Sequence, residues 1–350
     1  MNRSRRVRQA LFLSLVCILG WALSMGRAHA AVSCTATMSD VDFGSSVDLV
    51  AGVGLTANGT LSYTCTNDAS SATFASVCFN VGDGNEGLGN FNPRLMKSGS
   101  NPLQFQLYQS PGSTIWGWKG NPTVPSPFTA NLTIPKRVSG VNGSISGSTI
   151  MQGQLLLGQG AAPAGSYQDF FSAAGGHTNI SWTNGSSAPS GCSGTSSGNF
   201  PFTVKAVVIK SCTVTAGAAS NIQLGAASGV DSTATNITGS SSISVTCTGA
   251  TPYFIGLAPS NNSTTGAGIM AAMNVAPVTG NTDTVPYQLR STTGMGGSIW
   301  GNTATATAVG NGVAGTGTGL AQTIPVYATT PSANFTPDSY QDTVTVNVRY

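Results

Sequence analysis

Apolar residues along this chain recur at every second position in short runs. Leu61, Tyr63 and Cys65 share one face, while Thr60, Ser62 and Thr64 take the other. Ile243, Val245 and Cys247 do the same between Ser242, Ser244 and Thr246, and Val344, Val346, Val348 and Tyr350 alternate with Thr343, Thr345, Asn347 and Arg349. A period of two bounded by Gly, Asn, Asp and Pro predicts half-buried β-strands. No stretch after the first thirty residues carries a helical spacing, so the pattern predicts an all-β fold.

The pattern also occurs twice. Cys34, Phe43-Gly44 and Tyr63-Thr64-Cys65-Thr66 are answered by Cys212, Leu224-Gly225 and Val245-Thr246-Cys247-Thr248. Leu103-Gln104-Phe105-Gln106-Leu107 precedes Ile115-Trp116-Gly117, as Val285-Pro286-Tyr287-Gln288-Leu289 precedes Ile299-Trp300-Gly301. Thr133-Ile134-Pro135 matches Thr323-Ile324-Pro325, and Ser166-Tyr167-Gln168-Asp169 matches Ser339-Tyr340-Gln341-Asp342. Markers in one order at a shift of roughly 180 residues define two copies of one unit. The expected organisation is a leader over 1–30, a first domain over 31–199, a connecting strand over 200–211 and a second domain over 212–350.

The leader changes the charge and the cysteine arithmetic. Arg3, Arg5, Arg6 and Arg8 precede an apolar run from Ala10 to Met25, and Arg27-Ala28-His29-Ala30 offers a small-x-small cleavage signal. Five of the 14 basic residues lie in this segment, so nine face 11 acidic residues in the remainder. That balance gives no basic stripe for nucleic acid. Of seven cysteines, only Cys17 leaves with the leader. The remaining six lack metal-ligand spacing and belong to an oxidising compartment, where disulfides are expected. The repeat suggests Cys34–Cys65 and Cys212–Cys247 as equivalent pairs and leaves Cys78–Cys192 as an extra staple, although six cysteines allow other pairings.

These residues resemble the spore coat protein U domain family, whose members include the pilin-like subunits of archaic chaperone–usher pili. The carrying features are the spaced cysteine, Phe-Gly, the Thr-Cys-Thr strand, Ile-Trp-Gly and the closing Tyr340-Gln341-Asp342-Thr343-Val344-Thr345-Val346. The resemblance spans both halves, and the first departs at Phe170-Phe171. It implies two tandem immunoglobulin-like β-sandwiches, the C-terminal one lacking its last strand and completed by a strand from another subunit. It also implies export through the periplasm to a cell-surface pilus. The partners implied are a periplasmic chaperone, an outer-membrane usher, a neighbouring pilin and an abiotic or host surface. Val344, Val346, Val348 and Tyr350 would then form the acceptor-groove strand.

A donor strand is an extended segment with alternate apolar residues. Only Ala31, Val32 and Ser33 precede Cys34, so the unit is expected to accept a strand without giving one. A suitable segment lies internally: Phe202, Val204, Ala206 and Val208 on one face, with Thr203, Lys205, Val207 and Ile209 on the other. It reads either as a donor that completes the first domain within the chain or as an ordinary first strand of the second. A subunit that accepts without donating belongs at a fibre end, which points to a tip adhesin that mediates attachment and biofilm formation. A non-adhesive coat or fibre subunit and a carbohydrate-binding module are the alternatives.

The first repeat carries apolar residues absent from the second: Leu49, Val50 and Val53 in one segment, Trp118 and Phe128 in another, and Phe170 and Phe171 in a third. Exposed apolar patches mark interaction sites, which makes these the candidate adhesive loops. Catalysis is not expected, because His177 and Glu86 are the only residues of their types after the leader and no nucleophile motif accompanies them. Gly82-Asp83-Gly84-Asn85-Glu86-Gly87 matches a dinucleotide-binding pattern in letters only, since no helix follows before Pro93. The same residues read as a turn rather than a calcium loop. No cofactor or metal is implied.

Overall fold

The structure, a computed structural model, describes residues 32–52, 54–226 and 228–350. The leader over 1–30, Ala31 and Val53 lie outside the described residues. The first unit contains β1 (Val32–Met38), β2 (Val41–Asp42), β3 (Thr56–Asn67), β4 (Thr73–Val81), β5 (Arg94–Ser98), β6 (Asn101–Gln109), β7 (Phe128–Ile134), β8 (Gly143–Leu155), β9 (Gly165–Phe171), β10 (Thr178–Gly185), β11 (Thr195–Ser196) and β12 (Phe202–Val208). The second contains β13 (Cys212–Thr215), β14 (Thr235–Cys247), β15 (Pro252–Pro259), β16 (Ala267–Ala272), β17 (Thr284–Arg290), β18 (Val313–Thr316), β19 (Gln322–Ser332), β20 (Tyr340–Gln341) and β21 (Val344–Arg349). A short 3-10 turn at Ala218–Ser220 is the one helical element among the described residues.

Each unit stacks two sheets. In the first their orders are β1-β3-β8-β6-β5-β9-β12-β2 and β11-β10-β4-β7; in the second they are β13-β14-β19-β17-β16-β20 and β18-β15-β21. The sequence repeat is therefore a structural one, with β13 to β21 following β1 and β3 to β10 in turn. Trp116 and Trp300 are fully buried in equivalent places, and each indole N–H donates to a strand carbonyl, Phe79 O at 2.7 Å and Ile255 O at 2.8 Å. Buried indoles find such a partner because an unpaired N–H is costly. Tyr167 and Tyr340 each donate their hydroxyl to a carbonyl four residues back, Pro163 O and Thr336 O.

The three disulfides are Cys34–Cys65, Cys78–Cys192 and Cys212–Cys247. The first and third join directly opposed residues of β1 with β3 and β13 with β14. Strand registers place the first unit's loops at two ends. Asn67 opposes both Val32 and Gly143, Thr73 opposes Ile134, and Gly185 opposes Phe74, so loops 68–72, 135–142 and 186–190 gather at one end. Thr56 opposes Gln154, and Gly165 opposes Val208, at the other end, where Ser211 leads into the second unit.

Candidate functional site

The two units differ most at one sheet edge. In the first, β12 pairs antiparallel with β9 from Phe202 opposite Phe171 to Val208 opposite Gly165, and parallel with β2 at Val204 and Lys205. Its inward residues follow the alternation of the sequence: Phe202, Val204, Ala206 and Val208 are all at most 5% exposed. Phe202 stacks on Phe171 with ring centroids 4.5 Å apart. Burying each large apolar side chain of this kind stabilises a fold by roughly 1.5–3 kcal/mol.

In the second unit the counterpart of β9 is β20, and β20 is the edge of its sheet. Among the described residues no strand lies on its outer side. The consequence reaches the core. The first unit's β10 buries Thr178, Ile180 and Trp182, whereas its counterpart β21 has no fully buried residue. Ile222, Leu224, Met270, Val344, Val346 and Val348 pack on the second core but stay only partly covered. β20 and β21 are thus both edge strands, one in each sheet, whereas their counterparts β9 and β10 are covered by β12 and β11. The expected acceptor strand, Val344, Val346, Val348 and Tyr350, falls on β21, with Tyr350 just past its end. β21 pairs with β15 on one side and has no strand on the other among the described residues; its three valines line the open core. Tyr350 is 44% exposed and is not among the residues packed there. Beside the edge, the Tyr287 hydroxyl donates to Asp342 at 2.6 Å, and burial together with that contact pushes the phenol's pKa up.

The equivalent region of the first unit holds a buried polar cluster. Arg94 is fully buried and donates to the carbonyls of Val81, Gly82 and Trp116 and to Gln106 Oε1. Burial lowers its pKa to about 9, against the opposing charge of Asp169. Asp169 is also fully buried, accepts from Glu86 N at 3.0 Å, and has its Oδ2 without a partner. Burial raises its pKa to about 7, outweighing the backbone hydrogen bonds and Arg94. His177 Nδ1 lies 3.0 Å from Asp83 Oδ1, which ties loops 82–93 and 172–177 together. The glycine-rich motif is thus folded over a buried carboxylate, and the only φ-demanding approach is at Gly84, where a side chain would strike Asp169.

The candidate adhesive residues do not form one surface. Leu49 packs on the first core, and Leu49 and Val50 lie half-buried at the end that meets the second unit, where Asp48 accepts a hydrogen bond from Ser211 at 2.7 Å. Val53 lies outside the described residues. Trp118 is half-buried at the base of a turn, donating its N–H to Val124 O and accepting from Asn121 N. Phe128 and Phe171 require correction as surface residues. Phe128 packs in β7 against Phe79 and Trp116, and Phe171 is fully enclosed between Phe202 and Phe105. Phe170, on the opposite face of β9, is 42% exposed.

Sequence reasoning missed the most distal apolar residues. Val138 and Val141 are 58% and 72% exposed on the turn between β7 and β8. Ser139 and Gly140 form its apex with positive φ, so the valines flank a tight corner and have no strand to pack under. The signal was Val-Ser-Gly-Val between two alternating runs: a turn whose flanking residues are apolar where polar ones are usual.

The sequence profile of the Spore Coat Protein U domain matches residues 22–174 and again residues 198–347. Among curated proteins none matches. Solved structures with a similar course include the chaperone–tip adhesion subunit pre-assembly complex CsuC–CsuE of archaic Csu pili from Acinetobacter baumannii, at 14% identity over 91% of this chain and 100% of that one, with a TM-score of 0.46. The CupB6 tip adhesin of Pseudomonas aeruginosa is similar at 13% identity over 91% and 95% of the two chains, with a TM-score of 0.34. The CfaE adhesive subunit of enterotoxigenic Escherichia coli CFA/I fimbria is similar at 9% identity over 78% and 81%, with a TM-score of 0.29. With the family profile matching each of two repeats that fold alike, the chain belongs to the Spore Coat Protein U domain family.

Proposed function

We propose that the protein is the tip subunit of a chaperone–usher pilus, its first unit an adhesive head and its second the base that joins the fibre. The observation that carries this reading is the placement of β12. The second family match begins at residue 198, yet the strand it opens with lies in the sheet of the first unit. The arm that would otherwise reach a neighbouring subunit is used within the chain, and it closes the head's core. Among the described residues the base keeps bare edges at β20 and β21 and an apolar core open beside them.

An alternating strand from the next subunit would close that core, running antiparallel to β20 as β12 runs to β9. A bare edge of this kind is an aggregation hazard, which gives a periplasmic chaperone its task before the usher assembles the fibre. The distal end of the head, with Val138 and Val141, is the surface best placed to meet an abiotic or host surface, while Trp118 and Phe170 lie nearer the other end of the strands. Attachment and biofilm formation are the roles this reading assigns to that end.

Immunogold labelling of assembled fibres with an antibody to the first unit tests the position. Gold confined to fibre ends is expected. Gold along the whole length would place the protein in the fibre body and overturn the tip reading.

A further inference from the structure

We infer that the two units are locked into one rigid body by loop 158–163 of the head, seated on a glycine platform of the base. This goes beyond the pilus reading and does not depend on it. The covalent connection is short: Ile209, Lys210 and Ser211 separate β12 from β13. Ser211 is itself fixed on both sides. Its hydroxyl donates to Asp48 Oδ2 of the head at 2.7 Å, and its N–H donates to the Thr248 hydroxyl of the base at 3.1 Å. Thr248 N returns a bond to Ser211 O at 2.9 Å.

The second connection is non-covalent and adjoins the first, since Gly249 follows Thr248 in the chain. Gly249 N of the base donates to Gly160 O of the head at 2.7 Å, and Pro163 bridges to Gly249. The platform exists because Gly249 and Gly319 lack side chains. A Cβ on Gly249 would run into Ala161, and its three nearest atoms all belong to that head residue. A Cβ on Gly319 would strike Ala161 N and the backbone of Gly160, while one on Gly160 would sit 2.9 Å from Gly319 O. Backbone meets backbone across the joint, as glycine permits and no other residue does.

The loop that makes this contact is stiff. Gln159 Nε2 donates to Gln104 O and to Leu156 O, both at 2.8 Å, and its Oε1 accepts from Gln104 N. Ala162 N closes a turn onto Gln159 O, and Pro163 O accepts the buried Tyr167 hydroxyl at 2.8 Å. Relative motion is the default for two domains of one chain unless their interface is large and hydrophobic, so rigidity here rests on backbone bonds and close glycine contact rather than on buried apolar area. The linker is bonded at Thr248 and the loop is bonded at Gly249 and packed against Gly319, so turning one unit on the other breaks several backbone contacts at once. A rigid joint fixes the direction in which the distal hairpin faces relative to the base.

The test is backbone amide relaxation of the full exported chain, read as a rotational correlation time for each unit. One shared correlation time is expected for the native protein. Gly249→Val should separate the two values, with that of the smaller unit roughly halved, in proportion to its mass. The variant's amide spectrum within each unit should stay native away from the joint, because the atoms nearest a side chain at Gly249 are those of Ala161 in the head. Gly160→Val, which alters the same contact from the other side, should give the same separation and serves if the first variant folds poorly. Separate correlation times in the native protein, or a shared one in both variants, would overturn the inference.

Discussion

Asp169 is the residue whose chemistry departs furthest from its surroundings. Its pKa of about 7 stands above the ordinary carboxylate value of 3.8 because burial disfavours the charge. A raised value means that the folded state holds the proton more tightly than the unfolded chain. The stabilisation is complete below about pH 4 and is lost as pH rises through about 7. Asp169→Asn should therefore flatten the stability profile of the head over that window, a change of up to a few kcal/mol read from thermal melts at stepped pH. An unchanged slope would assign the pH dependence elsewhere. Arg94 makes the complementary case: Arg94→Met leaves buried carbonyls of Val81, Gly82 and Trp116 without a donor, and about 3–5 kcal/mol of stability should go with it. Denaturant unfolding measures that directly. Neither group was legible as part of a cluster beforehand, since Arg94, Gln106 and Asp169 meet only after three strands pair. The tryptophans were legible, because Trp116 and Trp300 recur in both repeats and a recurring aromatic is usually core.

At the level of elements, alternation located the strands but not the sheets they join. Phe202, Val204, Ala206 and Val208 were identifiable as one apolar face, yet that face fits a first strand of the second unit as well as a last strand of the first. The choice is made by long-range pairing with β9 and β2, which no local pattern encodes. The terminal run Val344 to Val348 read as the groove's strand from its alternation alone, and its place at the edge beside β15, with its valines against the open core, depends on pairing that no local pattern encodes. The two strands should respond differently to a charge. Val204→Asp puts a carboxylate into a closed core and should cost the head more than about 4 kcal/mol, seen as loss of its unfolding transition. Val346→Asp falls on a half-covered position and should cost the isolated base only about 1–2 kcal/mol while abolishing its incorporation into fibres. Equal losses in the two units would mean that the second core is already closed.

For the whole molecule, the sequence repeat and the family resemblance reached the architecture, and the inequality of the two units emerged from the edge they do not share. The adhesive face was the least legible part. Phe171 lies in the core and Phe128 packs half-buried against it, Leu49 and Val50 lie at the joint, and the exposed Val138 and Val141 sit on a turn too short to stand out as an apolar run. Val138→Ser together with Val141→Ser should reduce attachment of piliated cells to hydrophobic material severalfold without changing fibre number, counted by electron microscopy. Retained attachment would move the contact away from the distal turn, to Phe170 or Trp118.

The central claim is that the head is complete within its own chain and the base is not. Amide hydrogen exchange of the full chain, before and after adding a synthetic N-terminal arm of the neighbouring subunit, tests it most directly. The account predicts amides of 202–208 protected from the outset, with those of 340–349 exchanging quickly until the arm is added and slowly afterwards. Residues 340–349 already as protected as 202–208, and unchanged by the arm, would contradict it.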